Sequence, residues 1–310
     1  MAVPASVFDG ARLDAARSRF GLDPGAPASP LAGDVGQRRY FRTSSRGGAS
    51  VVLVLYPEAG TKAQDRWREI GAALAEAGLR VPELIDDDPP SGAALIEDLG
   101  DRDLAAEIRE AGAAGRERLL DEAEELLVAL RRMSRPAARL NAAFDAPFFA
   151  NELAHTRRWA LERDGATPLP ADRAVLWEEL AARMARDATD PALTGDPVPT
   201  HRDFHANNLM RAPGGALAVI DFQDLRLGPP DYDPVSLRFE RAGALGDEHG
   251  EIYAEAVLLQ RAWKVLGTFE KMLALGREIY RPHRDAAVRA IRRWTRRDGP
   301  YRPLLELLPG

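Results

Sequence analysis

The residues with the clearest chemical potential lie in one short stretch and at one strand end. The stretch reads H-R-D-F-H-A-N-N from His201 to Asn208. An apolar run follows it and ends at Asp221, thirteen residues after Asn208. Phosphoryl transfer to an alcohol needs a carboxylate beside the acceptor hydroxyl and oxygen ligands that hold magnesium on the nucleotide phosphates. The spacing H-R-D-x-x-x-x-N, followed by a strand that ends in aspartate, supplies both. We therefore predict Asp203 as the base and Asn208 and Asp221 as magnesium ligands.

A hairpin would bring the two predicted ligands together. Short apolar segments on either side of the turn Ala212–Gly215 predict two paired strands, with Asn208 and Asp221 at the same end. The alternative is an ordinary polar loop beside an ordinary hairpin, but chance does not readily supply all three polar residues in this arrangement. We expect His201 to fix the loop backbone by hydrogen bonds. His205 is a candidate for substrate contact, and its alternative role is a bond to a loop carbonyl.

Strand patterns around one helical segment fill the first hundred residues. Apolar and β-branched runs bounded by glycine and proline predict strands, and apolar residues at helical spacing predict one helix. The predicted strands lie within residues 31–43, which contain a glycine turn, and at 50–56, 83–86 and 93–99, and the predicted helix covers 65–77. We expect a small sheet of about five strands with one inserted helix, followed by a break at Gly100.

Two segments of this predicted sheet are candidates for nucleotide binding. Gly33 and Gly36 lie in the first hairpin, where close glycine backbone and N–H groups would cover a triphosphate. Glu97, Asp98 and Leu99 end the last strand, where main-chain groups would bond an adenine edge. The alternatives are an ordinary glycine turn and an acidic turn that ends a strand.

The chain is mostly helical from residue 101 onward. Apolar stripes predict helices over 117–133, 147–162 and 172–187, and long helices follow the catalytic segment. The predicted fold class is therefore α+β and bilobal. A small antiparallel-sheet N-lobe would cover residues 1–99, and a larger, mainly helical C-lobe would cover 100–310 and carry the catalytic loop and the acceptor site.

Composition narrows the class of protein. The chain has 310 residues, 45% of them hydrophobic, which is enough for two lobes with real cores. The sequence contains no apolar run long enough for a membrane span, no signal-peptide pattern and no cysteine, so we expect a cytoplasmic protein without membrane partners. A formal net charge of −6 gives no electrostatic reason to expect nucleic acid as a partner.

With these motifs in hand, the sequence resembles the aminoglycoside phosphotransferase/choline kinase superfamily. Within it, the sequence is most similar to the anomeric sugar kinases that act on N-acetylmuramate and N-acetylglucosamine in cell-wall recycling. The resemblance implies a protein-kinase-like fold, ATP and Mg²⁺ as cofactors, and a small sugar phosphorylated on its C1 hydroxyl. It rests on the segments His201–His205, Asn208–Leu209, Ile220–Asp224, Tyr232–Pro234, Arg38–Arg42, Leu74–Pro82, Ile96–Arg102 and Leu259–Gly267.

One departure from the family pattern concerns the third strand. Kinase-like folds usually carry a lysine there that holds the nucleotide phosphates, whereas this strand reads V-V-L-V-L from Val51 to Leu55. Arg39, Arg42 or Lys62 would have to replace the lysine, or magnesium and backbone would hold the phosphates alone; of these we take Arg39 as the candidate.

The acceptor site is less well marked by the sequence. Gln223 and Asp224, in the polar loop after Asp221, are candidates for sugar binding. An aminoglycoside or another small alcohol is the alternative acceptor. A pseudokinase-like binding module is the alternative from another functional class, because the strand lysine is missing.

Overall fold

The computed structural model describes residues 10–31, 38–57, 62–134, 138–239 and 252–309. The chain forms two compact units, of which the first comprises Met1–Arg102 and Met210–Gln223 and the second Asp103–Leu209 and Asp224–Gly310. Neither unit is continuous in sequence, and the predicted boundary between residues 99 and 100 stays a prediction. The predicted phosphate-covering glycines Gly33 and Gly36 lie outside the described residues.

A five-stranded antiparallel sheet forms the body of the first unit, as predicted. In spatial order its strands are β1 (Ser29–Pro30), β2 (Arg39–Ser44), β3 (Ser50–Leu55), β5 (Ala93–Glu97) and β4 (Leu84–Asp88). The centre of the sheet is β3, whose apolar residues are buried on both faces, and its register pairs Leu53 with Phe41 of β2 and with Leu95 of β5. The predicted helix is α2 (Lys62–Glu76).

The first unit also contains a helix that the sequence patterns do not predict, α1 (Gly10–Arg19). Its Ala16 is buried, and Leu13 packs against the same cluster of sheet residues, which includes Leu53 and Leu95. An arginine side chain also anchors the helix to the end of β3, because Arg12 donates to the carbonyl oxygen of Tyr56 at 2.9 Å.

The second unit is mainly helical, as predicted. Its helices are α3 (Leu104–Glu110), α4 (Gly112–Leu130), α5 (Ala146–Thr156), α6 (Ala171–Asp187), α7 (Pro191–Thr194), α8 (Tyr232–Phe239), α9 (Glu255–Ala274) and α10 (Arg281–Trp294), and a two-stranded sheet pairs β6 (Val198–Thr200) with β9 (Arg226–Gly228). The core of this unit lies around α9, where Trp177 and Trp263 meet edge to face at 5.1 Å between ring centroids. Helix α4 begins five residues earlier than the apolar stripe predicts.

The predicted hairpin consists of β7 (Leu209–Arg211) and β8 (Leu217–Val219). Its β8 strand joins the rest of the first unit, because the N–H of Val219 donates to the carbonyl of Arg80 at 2.8 Å. Beyond the hairpin, Phe222 packs on Trp67 of α2 at 5.3 Å between ring centroids. These contacts fix the backbone on both sides of Asp221.

Helices α5 and α9 approach each other unusually closely at Gly267. A Cβ at Gly267 would lie 2.7 Å from the Cα of Thr156, closer than real Cβ atoms come to backbone. The hydroxyl of Thr156 donates to the carbonyl of Trp263 at 2.9 Å. Immediately after Thr156 the chain continues as one turn of π-helix, Arg157–Leu161, a form that occurs mostly as short insertions in α-helices and frequently at functional sites.

We expect Gly267→Ala to destabilise the protein, because the added methyl group meets backbone that cannot move aside cheaply. Overpacking of this kind costs about 1–3 kcal/mol in free energy of unfolding. Urea unfolding measures the change, with Gly47→Ala as the matched control, because a Cβ there meets nothing closer than 3.8 Å. Equal stability of Gly267→Ala and Gly47→Ala would contradict the close helix contact.

Candidate active site

A buried aspartate holds the loop that carries the predicted base. Asp233, at the start of α8, accepts the N–H of His201 at 2.6 Å and the N–H of Arg202 at 3.0 Å. His201 is buried, and its Nδ1 accepts the N–H of Asp203 at 3.3 Å, which is the structural role expected for it. Arg202 has a φ of 82°, a left-handed conformation that non-glycine residues rarely adopt. The loop therefore keeps a strained conformation because Asp233 binds both of its N–H groups.

The carboxylate of Asp203 lies between two cations of α9. Lys264 Nζ is 2.9 Å from Oδ1, and both terminal nitrogens of Arg261 are 3.2 Å from the same oxygen. Within the described part of the chain, Oδ2 takes part in no hydrogen bond. The side chain keeps 28% of its surface exposed, whereas the side chain of Arg261 keeps only 3%. One oxygen is thus fixed by charge, and the other is available to a ligand.

The charge on this carboxylate is strongly stabilised. Burial by itself raises the pKa of Asp203, but Lys264, Arg261, Arg202 and His205 lower it by more, and the resulting pKa lies well below the usual range. Asp203 is therefore ionised throughout the neutral pH range.

Asn208 is bound to the same loop through its amide nitrogen. Its Nδ2 donates to the carbonyl oxygen of Asp203 at 2.8 Å, and its N–H donates to the carbonyl of His205 at the same distance. No hydrogen bond within the described ranges uses Oδ1 of Asn208. His205 itself is buried. The second unit thus brings Asp203 and Asn208 together, with an amide oxygen available as a metal ligand.

Asp221 lies in a small polar ring of the first unit. Arg38 donates to Asp221 Oδ1 at 2.8 Å and to Gln223 Oε1 at 3.0 Å, and Gln223 donates to the same Asp221 oxygen at 2.9 Å. Asp221 has a φ of 60°, which is again left-handed. Its side chain is 46% exposed, and its Oδ2 has no hydrogen bond to the described residues.

Arg38 was not among the cations that the sequence suggested as replacements for the strand lysine. Arg39 is exposed at the start of β2, and Arg42 pairs with Asp98 at 2.7 Å and Asp101 at 2.6 Å. The side chain of Lys62 is not described. Alternation along the strand would have been the signal, because position 38 shares a face with Tyr40 and Arg42.

The residues predicted to lie at the adenine edge have defined partners of their own. Glu97 pairs with Arg80 and accepts the N–H of Glu83 at 3.1 Å, and Asp98 accepts a bond from Ser50 at 2.5 Å. Neither carboxylate is left for chemistry. Leu99 is buried against Ala212 and Ala218 of the hairpin segment, while its main-chain N–H and C=O bond to none of the described residues.

Asp224 belongs to a different network from Gln223. Arg202 donates to Asp224 at 3.1 Å and to Glu152 at 3.2 Å, and Gln260 donates to the other oxygen of Glu152 at 2.9 Å. Asp224 is therefore neutralised by an arginine of the catalytic loop within the second unit.

Each of the two units offers an oxygen with the chemistry of a magnesium ligand. In the second unit this is the amide oxygen of Asn208 and in the first the carboxylate of Asp221, and both are hard ligands of the kind that Mg²⁺ prefers. Among the residues with described positions, no group of three or more histidine and acidic side chains could hold a metal by itself. Mg²⁺ on a nucleotide commonly completes its shell with water and phosphate oxygens.

The sequence of the chain matches a known protein family. Residues 27–275 match the phosphotransferase enzyme family, APH. The chain belongs to this family. Family membership confirms the prediction of a phosphotransferase.

Two curated kinases are similar in sequence to this chain. It is 29% identical over 309 residues to the N-acetylmuramate/N-acetylglucosamine kinase of Neisseria meningitidis serogroup B, covering 89% of this chain and 88% of that protein. It is also 29% identical over 221 residues to the enzyme of the same name from Pseudomonas aeruginosa, covering 70% of this chain and 61% of that protein.

Solved structures of APH-type proteins share the fold. A thermostable mutant of aminoglycoside phosphotransferase APH(4)-Ia superposes with a TM-score of 0.61 at 16% identity, covering 89% of this chain and 97% of that one. Choline kinase LicA from Streptococcus pneumoniae gives 0.58 at 13% identity, covering 90% and 96%. The predicted protein-kinase-like fold class is confirmed. Within the described ranges, no helix is long and apolar enough to span a bilayer.

Asp233 gives this site a pH dependence with a definite sign. Burial raises the pKa of Asp233 from 3.8 to about 6, although the bonded N–H groups and His201 lower it. Between those values the folded protein binds more protons than the unfolded chain. The contribution of Asp233 to stability is therefore full below pH 4 and is lost as the pH rises through 6. The free energy of unfolding lost in this way is roughly 2–3 kcal/mol.

Asp233→Asn removes this titration, since an amide stays neutral. Urea unfolding from pH 4 to 7 should show wild-type stability falling relative to Asp233→Asn over that window. If the stability of the wild type instead rose relative to that of the variant, the N–H bonds, and not burial, would set the pKa of Asp233.

Proposed function

We propose that this APH-family chain is an ATP-dependent kinase of a small sugar, and that it phosphorylates the anomeric hydroxyl of N-acetylmuramate or N-acetylglucosamine. One observation carries the proposal. Asp203 presents one oxygen bound by cations and one available oxygen, in a chain similar over almost its whole length to a kinase named for these sugars.

In this proposal Asp203 orients the acceptor hydroxyl and receives its proton on Oδ2. An anomeric hydroxyl is more acidic than an ordinary sugar alcohol, so a carboxylate held as an anion suffices as the base. The O–H bond breaks as the new O–P bond forms, and the bond between the terminal phosphoryl group and ADP breaks. Most of the rate must come from positioning and charge neutralisation.

The residues that the sequence marks for nucleotide and metal binding would hold ATP and Mg²⁺. Asn208 and Asp221 would hold Mg²⁺, which neutralises phosphate charge when bound. The free main-chain groups of Leu99 would bond the adenine edge, with Glu97 and Asp98 in structural roles beside it. Gly33 and Gly36 would cover the phosphates. We propose that Arg38, in contact with Asp221, supplies the cation that the third strand lacks.

The protein would use its ATP in the cytoplasm, on sugars released when the cell wall is recycled. The lobes proposed for this function remain 1–99 and 100–310. The proposal involves neither nucleic acid nor a membrane as partner.

The rival acceptor class is a cationic aminoglycoside or another small alcohol. A cationic antibiotic would need free carboxylates near Asp203, but Glu152 and Asp224 are both paired with Arg202. A pseudokinase-like binding module would not need Asp203, Asn208 and Asp221 together. Both rivals are therefore weaker than the sugar kinase.

A coupled ATP-consumption assay tests the proposed reaction. We expect turnover with N-acetylglucosamine and N-acetylmuramate but not with glucosamine or kanamycin, and ³¹P and ¹³C NMR should place the phosphate on C1. Turnover of kanamycin alone would contradict the sugar acceptor. A phosphate on another carbon would contradict the anomeric position.

Asp203→Asn should lower kcat by about 10²–10⁴-fold, because the amide cannot accept the proton. ATP binding, measured by calorimetry, should stay close to wild type. Asp172→Asn, an exposed aspartate on α6, is the matched control and should keep full activity. Undiminished turnover in Asp203→Asn would refute the role of the base.

Arg38→Met should raise KM for ATP roughly tenfold, the effect of losing one hydrogen bond to a charged group. Arg39→Met tests the neighbouring cation that the sequence suggested, and we expect a much smaller change there. Calorimetry with a non-hydrolysable ATP analogue separates binding from turnover. The opposite ranking of the two variants would assign the phosphate contact to Arg39.

A further inference from the structure

Lysine is rare in this chain, and its positions are uneven. Only three of the 42 cationic residues are lysines, namely Lys62, Lys264 and Lys271. Two of them lie on α9, seven residues apart. Seven residues are two helical turns, so the two side chains project from the same face about 10 Å apart. The first of them, Lys264, is the residue that contacts Asp203.

Lys271 is a half-buried cation for which the described residues supply no ion-pair partner. Among the residues whose positions are described, no carboxylate lies within ion-pair distance of its Nζ, and its recorded contact is the ring of Trp159, 5.9 Å from the centroid. Partly burying an ammonium group costs free energy unless a counter-charge compensates. Arg158 stacks on the same ring at 5.3 Å but is neutralised by Asp164 at 2.6 Å. Of the two cations on this ring, Lys271 is therefore the one that no described carboxylate neutralises.

Basic side chains lie around His155, a neighbour of Trp159. His155 lies 6.2 Å from Trp159 between ring centroids. Burial lowers the pKa of His155. The nearby charges of Lys271, Arg158 and Lys264 lower it further, and Glu152 acts in the opposite direction. His155 is thus a neutral hydrogen-bonding group beside a lysine that pairs with no carboxylate of the described residues. We call His155, Trp159, Lys264 and Lys271 the Lys271 cluster.

The Lys271 cluster depends on the π-helical turn that follows α5. The contact between Gly267 and Thr156 draws α5 against α9 at the level midway between the two lysines. The π-helical turn that follows shifts the next side chains around the helix axis, and Trp159 comes to lie over Lys271. A regular α-helix would place position 159 elsewhere around the axis.

We propose that the Lys271 cluster binds an anionic substituent of the acceptor, which in the sugar-kinase reaction proposed above is the carboxylate of N-acetylmuramate. Lys264 marks the reacting end of the sugar at Asp203, and Lys271 lies two turns away, a spacing on the scale of a substituted hexose. The cluster would therefore make the enzyme prefer the acidic sugar to N-acetylglucosamine.

The choice of lysine supports a carboxylate ligand on a flexible substituent. Apart from the pair of Lys264 with Asp203, the ion pairs among the described residues use arginine, as in the pairs of Arg42 and Arg238. Lysine has a compact charge on a flexible stem, whereas arginine presents a rigid planar fork of donors. A lactyl carboxylate that rotates about its ether bond suits a point charge.

The test compares three sugars that differ at one substituent. They are N-acetylmuramate, its isosteric carboxamide without charge, and N-acetylglucosamine. For the wild type, kcat/KM for N-acetylmuramate should exceed that for the carboxamide by about 10- to 100-fold, the effect of one hydrogen bond to a charged group. Equal use of the acid and its carboxamide would overturn the proposal.

Lys271→Met locates the effect, because methionine keeps the length of the side chain and removes the charge. The ratio of kcat/KM for N-acetylmuramate to that for N-acetylglucosamine should fall by about 10- to 100-fold. Lys271→Arg should recover most of the ratio. Arg186→Met removes one charge from the exposed face of α6 and should leave the ratio at its wild-type value.

Calorimetry of N-acetylmuramate binding without nucleotide gives a readout independent of turnover, and Lys271→Met should weaken that binding by a similar factor. A Lys271→Met variant with an unchanged ratio and unchanged binding would overturn the subsite while leaving the proposed kinase intact. If the wild type turns over neither sugar, the proposed function itself fails.

Discussion

A single carboxylate oxygen, Oδ1 of Asp203, is the point on which the second unit depends. Two cations of α9 meet it, one of them almost fully buried, and burying such charges is tolerable only if they neutralise each other. The loop that presents the carboxylate is strained at Arg202 and is held by Asp233 through two N–H bonds. The base is therefore fixed from both sides, by charge at the carboxylate and by hydrogen bonds along the backbone.

The element that supplies the cations is also largely buried, with thirteen buried residues in α9. Helix α9 runs through the core of the second unit, with Trp263 packed on Trp177. A rigid helix holds charged groups more precisely than a surface loop does. The same helix carries Lys271 two turns beyond Lys264, so the proposed recognition of the acceptor and the chemistry share one rigid scaffold.

The sequence predicted those features that are local in the chain. Strand β3, helix α2 and the β7–β8 hairpin follow from apolar runs bounded by glycine and proline, and Asp203 and Asn208 follow from their spacing. Helix α1 was missed because it is short and buries little more than Leu13 and Ala16. Its stability comes from the sheet it packs on, which no local pattern records.

The missed parts of the site are the tertiary ones. Lys264 and Arg261 stand about sixty positions from Asp203, and Arg38 stands even further from Asp221. The sequence marked Arg261 and Lys264 only as part of a resembling segment, and Asp233 only as part of a following loop. Spacing motifs report residues that share one loop, whereas partners brought by packing carry no fixed spacing. The scarcity of lysine was the available signal for Lys264 and Lys271.

The most direct test of the central claim is a crystal structure with a non-hydrolysable ATP analogue and N-acetylglucosamine bound. The account predicts the anomeric oxygen at about 2.6–3.2 Å from Oδ2 of Asp203, the distance at which a base can take the proton. It also predicts that Lys264 and Arg261 remain on Oδ1. A sugar that presents a different hydroxyl, or an Asp203 turned away from both cations, would contradict it.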